Sequence, residues 1–339
     1  MQTNNAERAL TDIGGTMPMD VSRTALPAAR AVSHDRRDPL MVVYIAGDGR
    51  SGSTLLDRLI GIYPNVFSCG ELGNLVQSTT SAEQFCACGA HARDCDFWTS
   101  VLTRWSASVP DFTEREYRSL QRRFERLRRL FRPRFPRELN VENPRFARYA
   151  EYTRSLFDAI ADLSGAEVIV DSSKSPARAL ALSRVSGIDL RMLHLVRDVR
   201  GVTYSLHKVR SRKASAVRVG LRDNLRFVGT WALINYCCER VRARLRGPSL
   251  FTRYEDYTAD PDGILAALAD LMGCHQAKYA ASASRLMRQG HQVAGNDARL
   301  RPVQTISTDE VWRRQFGFAM RKGLYLLALP LMLRYRYRP

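Results

Sequence analysis

Residues 42–62, VVYIAGDGRSGSTLLDRLIGI, carry side chains suited to chemistry on an anion. Glycines at 47, 49 and 52 let the backbone turn its N–H groups inward, and Arg50 adds a cation. Ser53 and Thr54 add hydroxyls where an apolar helical pattern begins (Leu55, Leu56, Leu59, Ile60). A helix starting there offers unpaired amides and the positive end of its dipole to a phosphate or sulfate. The triphosphate loop G-x-x-x-x-G-K-[ST] is matched, except that Ser53 stands where its lysine reaches the β and γ phosphates. A phosphate cradle lacking that lysine is therefore predicted, with the Arg50 guanidinium gripping its anion through parallel hydrogen bonds. Glycine-rich turns are common, and alone the segment also fits an ordinary strand-turn-helix.

A second segment strengthens the case. Residues 190–208, LRMLHLVRDVRGVTYSLHK, place an apolar strand (Met192 to Val196) directly before Arg197, with Asp198 set to cap a helix carrying Ser205. Arg197 and Ser205 lie eight residues apart, about two helical turns, and can close on one further phosphate.

Together these motifs resemble sulfotransferases that use 3′-phosphoadenosine 5′-phosphosulfate (PAPS), in particular the bacterial and Golgi-type branch with an R-S-G-[ST]-T loop. The matching residues are Arg50-Ser51-Gly52-Ser53-Thr54 and Arg197-Asp198-Val199-Arg200 through Ser205, in family order, with Val199 where the family often has proline. The resemblance extends over about residues 40–339 through VIVDSSKSP (168–176), FTRYEDYTADP (251–261), GNDAR (295–299) and DEVW (309–312). It implies that Arg50, Ser51, Gly52, Ser53 and Thr54 bind the 5′-phosphosulfate, and that Arg197 and Ser205 bind the 3′-phosphate with Arg299 closing over it. It also implies Glu71 as general base, from its G-E position after a short strand, and Lys174 as electrophile at the bridging oxygen. His194 lies inside an apolar strand and reads as a core histidine rather than a base. PAPS is the implied co-substrate and its bisphosphate PAP the product. With Arg50, Lys174 and Arg197 supplying charge, no divalent ion is required.

These residues need a frame to position them. Candidate strands at 42–45, 66–69, 167–170, 191–196 and 249–253 alternate with helical patterns, which predicts an α/β fold with a parallel central sheet flanked by helices. Ligands of such sheets bind at the carboxyl ends of strands, where Arg50, Glu71, Lys174 and Arg197 all fall. Residues 1–39 show no periodic apolar pattern and read as a flexible tail, and Arg36-Arg37 does not make an export signal because the next apolar run is the first strand. Residues 40–339 form the expected catalytic domain, with a helical, arginine-rich insertion at about 76–165 shaping the acceptor pocket. The apolar run Leu324 to Leu333 is too short to span a bilayer and contains Pro330, so it reads as core, with interfacial contact through Arg334 and Arg336 as the alternative.

The formal charge is +18, yet only five of 52 basic residues are lysine, so part of the arginine excess can reflect genome composition. Ten arginines crowd residues 115–137; on a helix they would form a positive face opposite Tyr117, Leu120, Phe124, Leu127 and Phe131. That face reads either as a guide for an acidic partner or as a solvated surface. No recognised nucleic-acid module accompanies it, which argues against a nucleic-acid partner. Of seven cysteines, Cys69, Cys86, Cys88 and Cys95 cluster, with His91 nearby. A cytoplasmic enzyme keeps thiols reduced, so structural zinc is one reading. C-x-C-x6-C is not an attested zinc spacing, however, which makes unpaired or redox-labile thiols the default and leaves the metal undecided. Cys237, Cys238 and Cys274 read as packing residues.

The reading is a cytoplasmic PAPS-dependent sulfotransferase acting on a hydroxyl of a carbohydrate or natural-product acceptor, with no oligomeric state assigned. One alternative is a nucleotide-dependent kinase or triphosphatase, with Asp171 as its magnesium aspartate and Ser53 against it. Another is a non-catalytic basic binding protein on the same fold.

Overall fold

Side chains alternate along the central strand, which buries both of its faces. The computed structural model describes residues 38–213, 220–273, 290–301 and 306–339, with side chains of the first stretch described to 210. They lie in one compact unit, Asp35–Pro339. The expected flexible tail and Cys274 fall outside the described residues, apart from the tail's last two positions. Strand β1 (Leu40–Gly47) sends Val42, Tyr44 and Ala46 into one apolar cluster and Val43 and Ile45 into another. This period of two over a β-branched run makes a strand covered on both sides.

The strands β1, β2 (Val66–Ser68), β3 (Val168–Lys174), β4 (Ile188–Val196) and β5 (Ser249–Arg253) form a parallel sheet of order β2-β3-β1-β4-β5. All five predicted strands are present. The third runs further than the predicted end at 170: Asp171, Ser172 and Ser173 belong to β3. Tyr44 pairs with Asp171 and Ala46 with Lys174, so β3 carries one extra residue and bulges. Bulges beside active sites re-aim a side chain, and here Lys174 leaves the bulge at φ +69°.

Helix α1 (Ser53–Ile60) follows β1, and α2 (Leu75–Thr80), α3 (Asp96–Ser108), α4 (Glu114–Phe124), α5 (Phe135–Glu138) and α6 (Pro144–Ser164) fill the stretch before β3. Helix α7 (Pro176–Leu182) follows β3, α8 (Val199–Lys213) and α9 (Leu221–Arg242) follow β4, and α10 (Tyr254–Ala259) and α11 (Pro261–Met272) follow β5. In the arginine-rich stretch, Tyr117, Leu120 and Phe124 are buried on α4 as their spacing predicts. The stripe does not continue on one helix. Helix α4 stops at Phe124, the Glu125 carboxylate after it turns inward to Tyr149 and Arg178, and Phe131, on a separate turn at 127–131, is 55% exposed.

The apolar run near the C-terminus breaks into Phe318–Leu327 and Leu329–Arg334, the second with Pro330 in its first turn. Leu324, Tyr325 and Met332 are buried, while Leu326, Leu327 and Leu333 face outward. Among the described residues, no helix is long and apolar enough to cross a membrane.

One buried carboxyl on α1 sets a pH dependence. Asp57 is fully enclosed and accepts the Ser68 hydroxyl, and burial pushes it from its ordinary 3.8 up to about 7. The folded chain therefore holds a proton there that the unfolded chain has released. The resulting stabilisation is complete below the unfolded value and lost as pH rises through about 7. Asp57→Asn, always neutral, is expected to gain stability over the wild type progressively between about pH 4 and about pH 7, read from urea midpoints. An unchanging difference across that range would place the titration elsewhere.

Candidate active site

The carboxyl ends of the strands open into one cleft of about 500 Å³. Arg50 and the start of α1 line it after β1, Glu71 after β2, Lys174 at the end of β3, and Arg197 and Ser205 after β4. Gly52 takes a left-handed φ of +89° to turn the chain into α1, and no side chain caps that helix. The first-turn amides, with the Ser53 and Thr54 side chains, therefore face the cleft as an anion cradle. Gly52 is also boxed in: a Cβ there would meet the Tyr254 ring at 2.4 Å and the Tyr257 hydroxyl at 2.5 Å, and that hydroxyl donates to the Gly52 carbonyl at 2.9 Å. Gly52→Ala is expected to destabilise the loop by about 1–3 kcal/mol, or roughly tenfold to a hundredfold in anion affinity. Calorimetry with an anionic nucleotide checks it, and unchanged affinity would rule out the loop as the binding element.

The two anion motifs meet. The Arg50 Nε donates to Ser205 Oγ at 3.0 Å, and an Arg197 Nη donates to the Arg50 carbonyl at 3.1 Å. Asp198 caps α8 as expected by accepting the Arg200 N–H at 2.8 Å, and it holds the Arg200 guanidinium. The Arg197 guanidinium lies 4.3 Å from the Tyr254 ring centroid and 3.3 Å from an Asp309 carboxylate oxygen. Two buried polar atoms here, Ser51 Oγ and Arg197 Nε, lack a hydrogen-bond partner, which suits a site built for a polar ligand. Asp309, the first residue of the DEVW segment, also approaches Lys208 at 4.0 Å. Any phosphate drawn to Arg197 must compete with it.

Glu71 and Lys174 form an ion pair. Both are about four-fifths buried, at 17% and 19% side-chain exposure, so the pair is shielded from bulk water without being sealed from a ligand. The second Glu71 oxygen accepts the Asn74 amide at 3.0 Å. Gly295 lies against the carboxylate, where a Cβ would come within 3.0 Å of Oε1.

Arg299 sits behind this wall. Its guanidinium is buried and donates to the carbonyls of Phe85 (2.9 Å) and Gly295 (3.3 Å). His194 is a core residue as expected: it pairs with Asn235 at 3.1 Å, and burial lowers it to about 4. Asp171, weighed as a magnesium ligand, is fully buried and committed to Arg178 at 2.9 Å and to the Ser173 N–H at 2.9 Å. Its carboxylate does not reach the cleft.

The frame and cleft define a class: an α/β protein with a phosphate-type loop and a cationic crevice at the strand ends. Residues 43–277 match the model of the sulfotransferase family, and the chain belongs to that family. Its chemistry is sulfuryl transfer. Among solved structures, the chain is similar to the sulfotransferase domain from the Synechococcus PCC 7002 olefin synthase, at 19% identity and a TM-score of 0.50 over 89% of this chain and 96% of that one. It is also similar to sulfotransferase STF9 from Mycobacterium avium, at 14% identity and a TM-score of 0.48 over 89% of this chain and 79% of that one. The first likeness supports the shared fold. No curated protein matched the sequence.

Proposed function

We propose that the enzyme moves the sulfo group of PAPS to a hydroxyl of a carbohydrate or natural-product acceptor. The observation that carries this reading is the contact between motifs far apart in sequence: Arg50 bonded to Ser205, and Arg197 bonded to the Arg50 carbonyl. It gives one cleft two anion-binding elements, as a nucleotide with phosphates at both its 3′ and 5′ positions requires.

In this reading the α1 amides, Ser53 and Thr54 hold the 5′ end, and Arg50 opposes charge on the equatorial oxygens. Arg197 and Ser205 hold the 3′-phosphate. PAPS supplies an activated sulfo group. Glu71 accepts the acceptor's hydroxyl proton as the new O–S bond forms and the S–O bond to the phosphate breaks. Lys174 donates a hydrogen bond to the departing oxygen, passing from Glu71 to that oxygen as charge builds there. Such positioned charges act most strongly where water is excluded. Arg299, implied by family resemblance as a phosphate ligand, fits better as a positioning residue because its bonds run to main-chain carbonyls.

A second cavity of about 290 Å³ lies beside the residues just after Glu71 and is lined by Gly73, Val76, Arg118, Arg122 and Glu125 among others. Its arginines favour an acceptor carrying negative charge. The test is calorimetry with PAP, with ATP and ADP as competitors, on wild type, Arg50→Ala and Arg197→Ala. Tight binding that prefers PAP and falls at least tenfold in both variants supports the reading. Preference for ATP would favour a kinase or triphosphatase, and no nucleotide binding would favour a non-catalytic scaffold.

A further inference from the structure

Four metal-ligand side chains converge beside the active site, and one comes from a segment that no cysteine spacing would reveal. The thiols of Cys86, Cys88 and Cys95 and the ring of His291 present ligand atoms all within 4.8 Å of one another. Cys88 Sγ lies 3.7 Å from Cys95 Sγ, and His291 Nδ1 lies 3.3 Å from Cys95 Sγ and 3.8 Å from Cys86 Sγ. Zinc bonds of about 2.3 Å to sulfur and about 2.0–2.1 Å to nitrogen, set tetrahedrally, give ligand separations of about 3.8 Å for S–S and about 3.5 Å for S–N. The Cys88–Cys95 separation of 3.7 Å matches the S–S edge, and the His291 distances of 3.3 Å and 3.8 Å fall on either side of the S–N edge. A disulfide instead needs sulfurs about 2.05 Å apart.

We infer that Cys86, Cys88, Cys95 and His291 bind one zinc ion, which fastens segment 290–301 against the carboxyl end of β2 beside Glu71.

The local backbone is built for this. Cys86 and Cys88 leave a tight hairpin in which the Cys86 N–H donates to Ala90 (2.8 Å), the Gly89 N–H donates to Cys86 (3.0 Å), and Gly89 turns at φ +93°. Cys95 is the N-cap of α3, where the helix dipole favours a thiolate. The same helix orients the histidine: Phe97 stacks on the His291 ring at 4.9 Å, and the Trp98 indole donates to the His291 carbonyl at 2.6 Å. Three thiolates, a neutral imidazole and Zn²⁺ leave one net negative charge. Arg299, buried with its Nε unpartnered and bonded to the Phe85 carbonyl next to Cys86, supplies the compensating cation. Cys69 takes no part and lies in the core, and His91 stacks on Phe85.

The consequence for the active site follows along the chain from His291. Gln292 donates to Ser68 at 3.1 Å, Val293 exchanges main-chain bonds with Cys69 and Glu71 at 2.9 Å each, and Gly295 rests on the Glu71 carboxylate. Fixing His291 thus fixes the wall behind the candidate base. Zinc takes each thiol as its thiolate, so thiol protons still bound are released to solvent and affinity rises with pH.

The test is elemental analysis of the full chain, purified under reducing conditions without a metal-affinity tag. One zinc per chain is expected, falling at least tenfold in Cys88→Ser and His291→Ala and unchanged in Cys69→Ala. Wild-type protein loaded with Co²⁺ provides a second readout that does not depend on any variant folding: tetrahedral thiolate coordination gives intense visible and near-ultraviolet bands. On chelation, amide hydrogen exchange of residues 290–301 is expected to rise at least tenfold while that of β1 stays fixed. Wild-type protein that carries no zinc and takes up neither ion, or that contains a Cys88–Cys95 disulfide, overturns the site. Zinc present with no change in exchange on chelation overturns the fastening role. None of these readouts requires PAPS, so the site stands or falls apart from the proposed reaction.

Discussion

Glu71→Gln is expected to lower kcat by about 10²–10⁴-fold, the range for loss of a positioned general base, while PAP affinity stays within about twofold. The amide keeps nearly the same shape and still offers an oxygen to Lys174, so the fold and the ion pair's geometry are disturbed little. What disappears is the capacity to take the acceptor's proton. If Glu71 serves only to position Lys174, the loss in the glutamine variant should stay under about tenfold, since a hydrogen bond to a neutral acceptor is about half as strong as one to a charge. Glu71→Ala separates the roles further: added formate should restore part of its turnover if a base is missing and none if only position is lost. Lys174→Met should lower kcat as well, and combining it with Glu71→Gln should cost less than the sum of the two, because the residues touch and, in the proposed mechanism, act in one step.

The parts of this site that the sequence revealed are local in the chain. Each strand was legible as a β-branched or leucine-rich run bounded by glycine, proline or charge, and each anion motif sits within a dozen residues of the strand that positions it. Asp198 capping α8 is likewise a matter of two residues. The unread parts join segments whose separation carries no spacing signal. His291 meets Cys86 across 205 residues, and Glu125 meets Arg178 across 53. In sequence Glu125 is one charge in a solvated-looking run and Arg178 one more arginine in a chain rich in them. Only burial distinguishes them. The bulge in β3 has no sequence signal for a related reason: Asp171-Ser172-Ser173 has turn composition, and the pairing of Asp171 and Lys174 with β1 overrides that local preference. The motif around Arg299 is local, whereas the hairpin that brings the Phe85 carbonyl to it decides where its guanidinium lies.

That buried pairing leads to the largest expected change in stability. Arg178 is 1% exposed, with its Nε 2.9 Å from Asp171 and another nitrogen bonded to Glu125. Burial alone would lower its pKa, but the Glu125 and Asp171 carboxylates outweigh that effect and hold the guanidinium charged. Arg178→Met keeps much of the volume and strands two carboxylates in the interior, which is expected to destabilise the fold by about 3–5 kcal/mol, measured by urea unfolding. Activity should fall with it even where the variant remains folded. Asp171 also accepts the Ser173 N–H, and Ser173 Oγ accepts the Gly73 N–H at 2.7 Å, so the same network ties the bulge that aims Lys174 to the turn that follows Glu71. Asp171→Asn combined with Glu125→Gln and Arg178→Met removes every formal charge and should recover stability relative to Arg178→Met alone. It should recover little kcat, because a neutral set no longer fixes the bulge against that turn. A single substitution costing less than about 1 kcal/mol would mean that the interior accommodates both carboxyl groups without Arg178, and the network would then carry shape rather than charge into the active site.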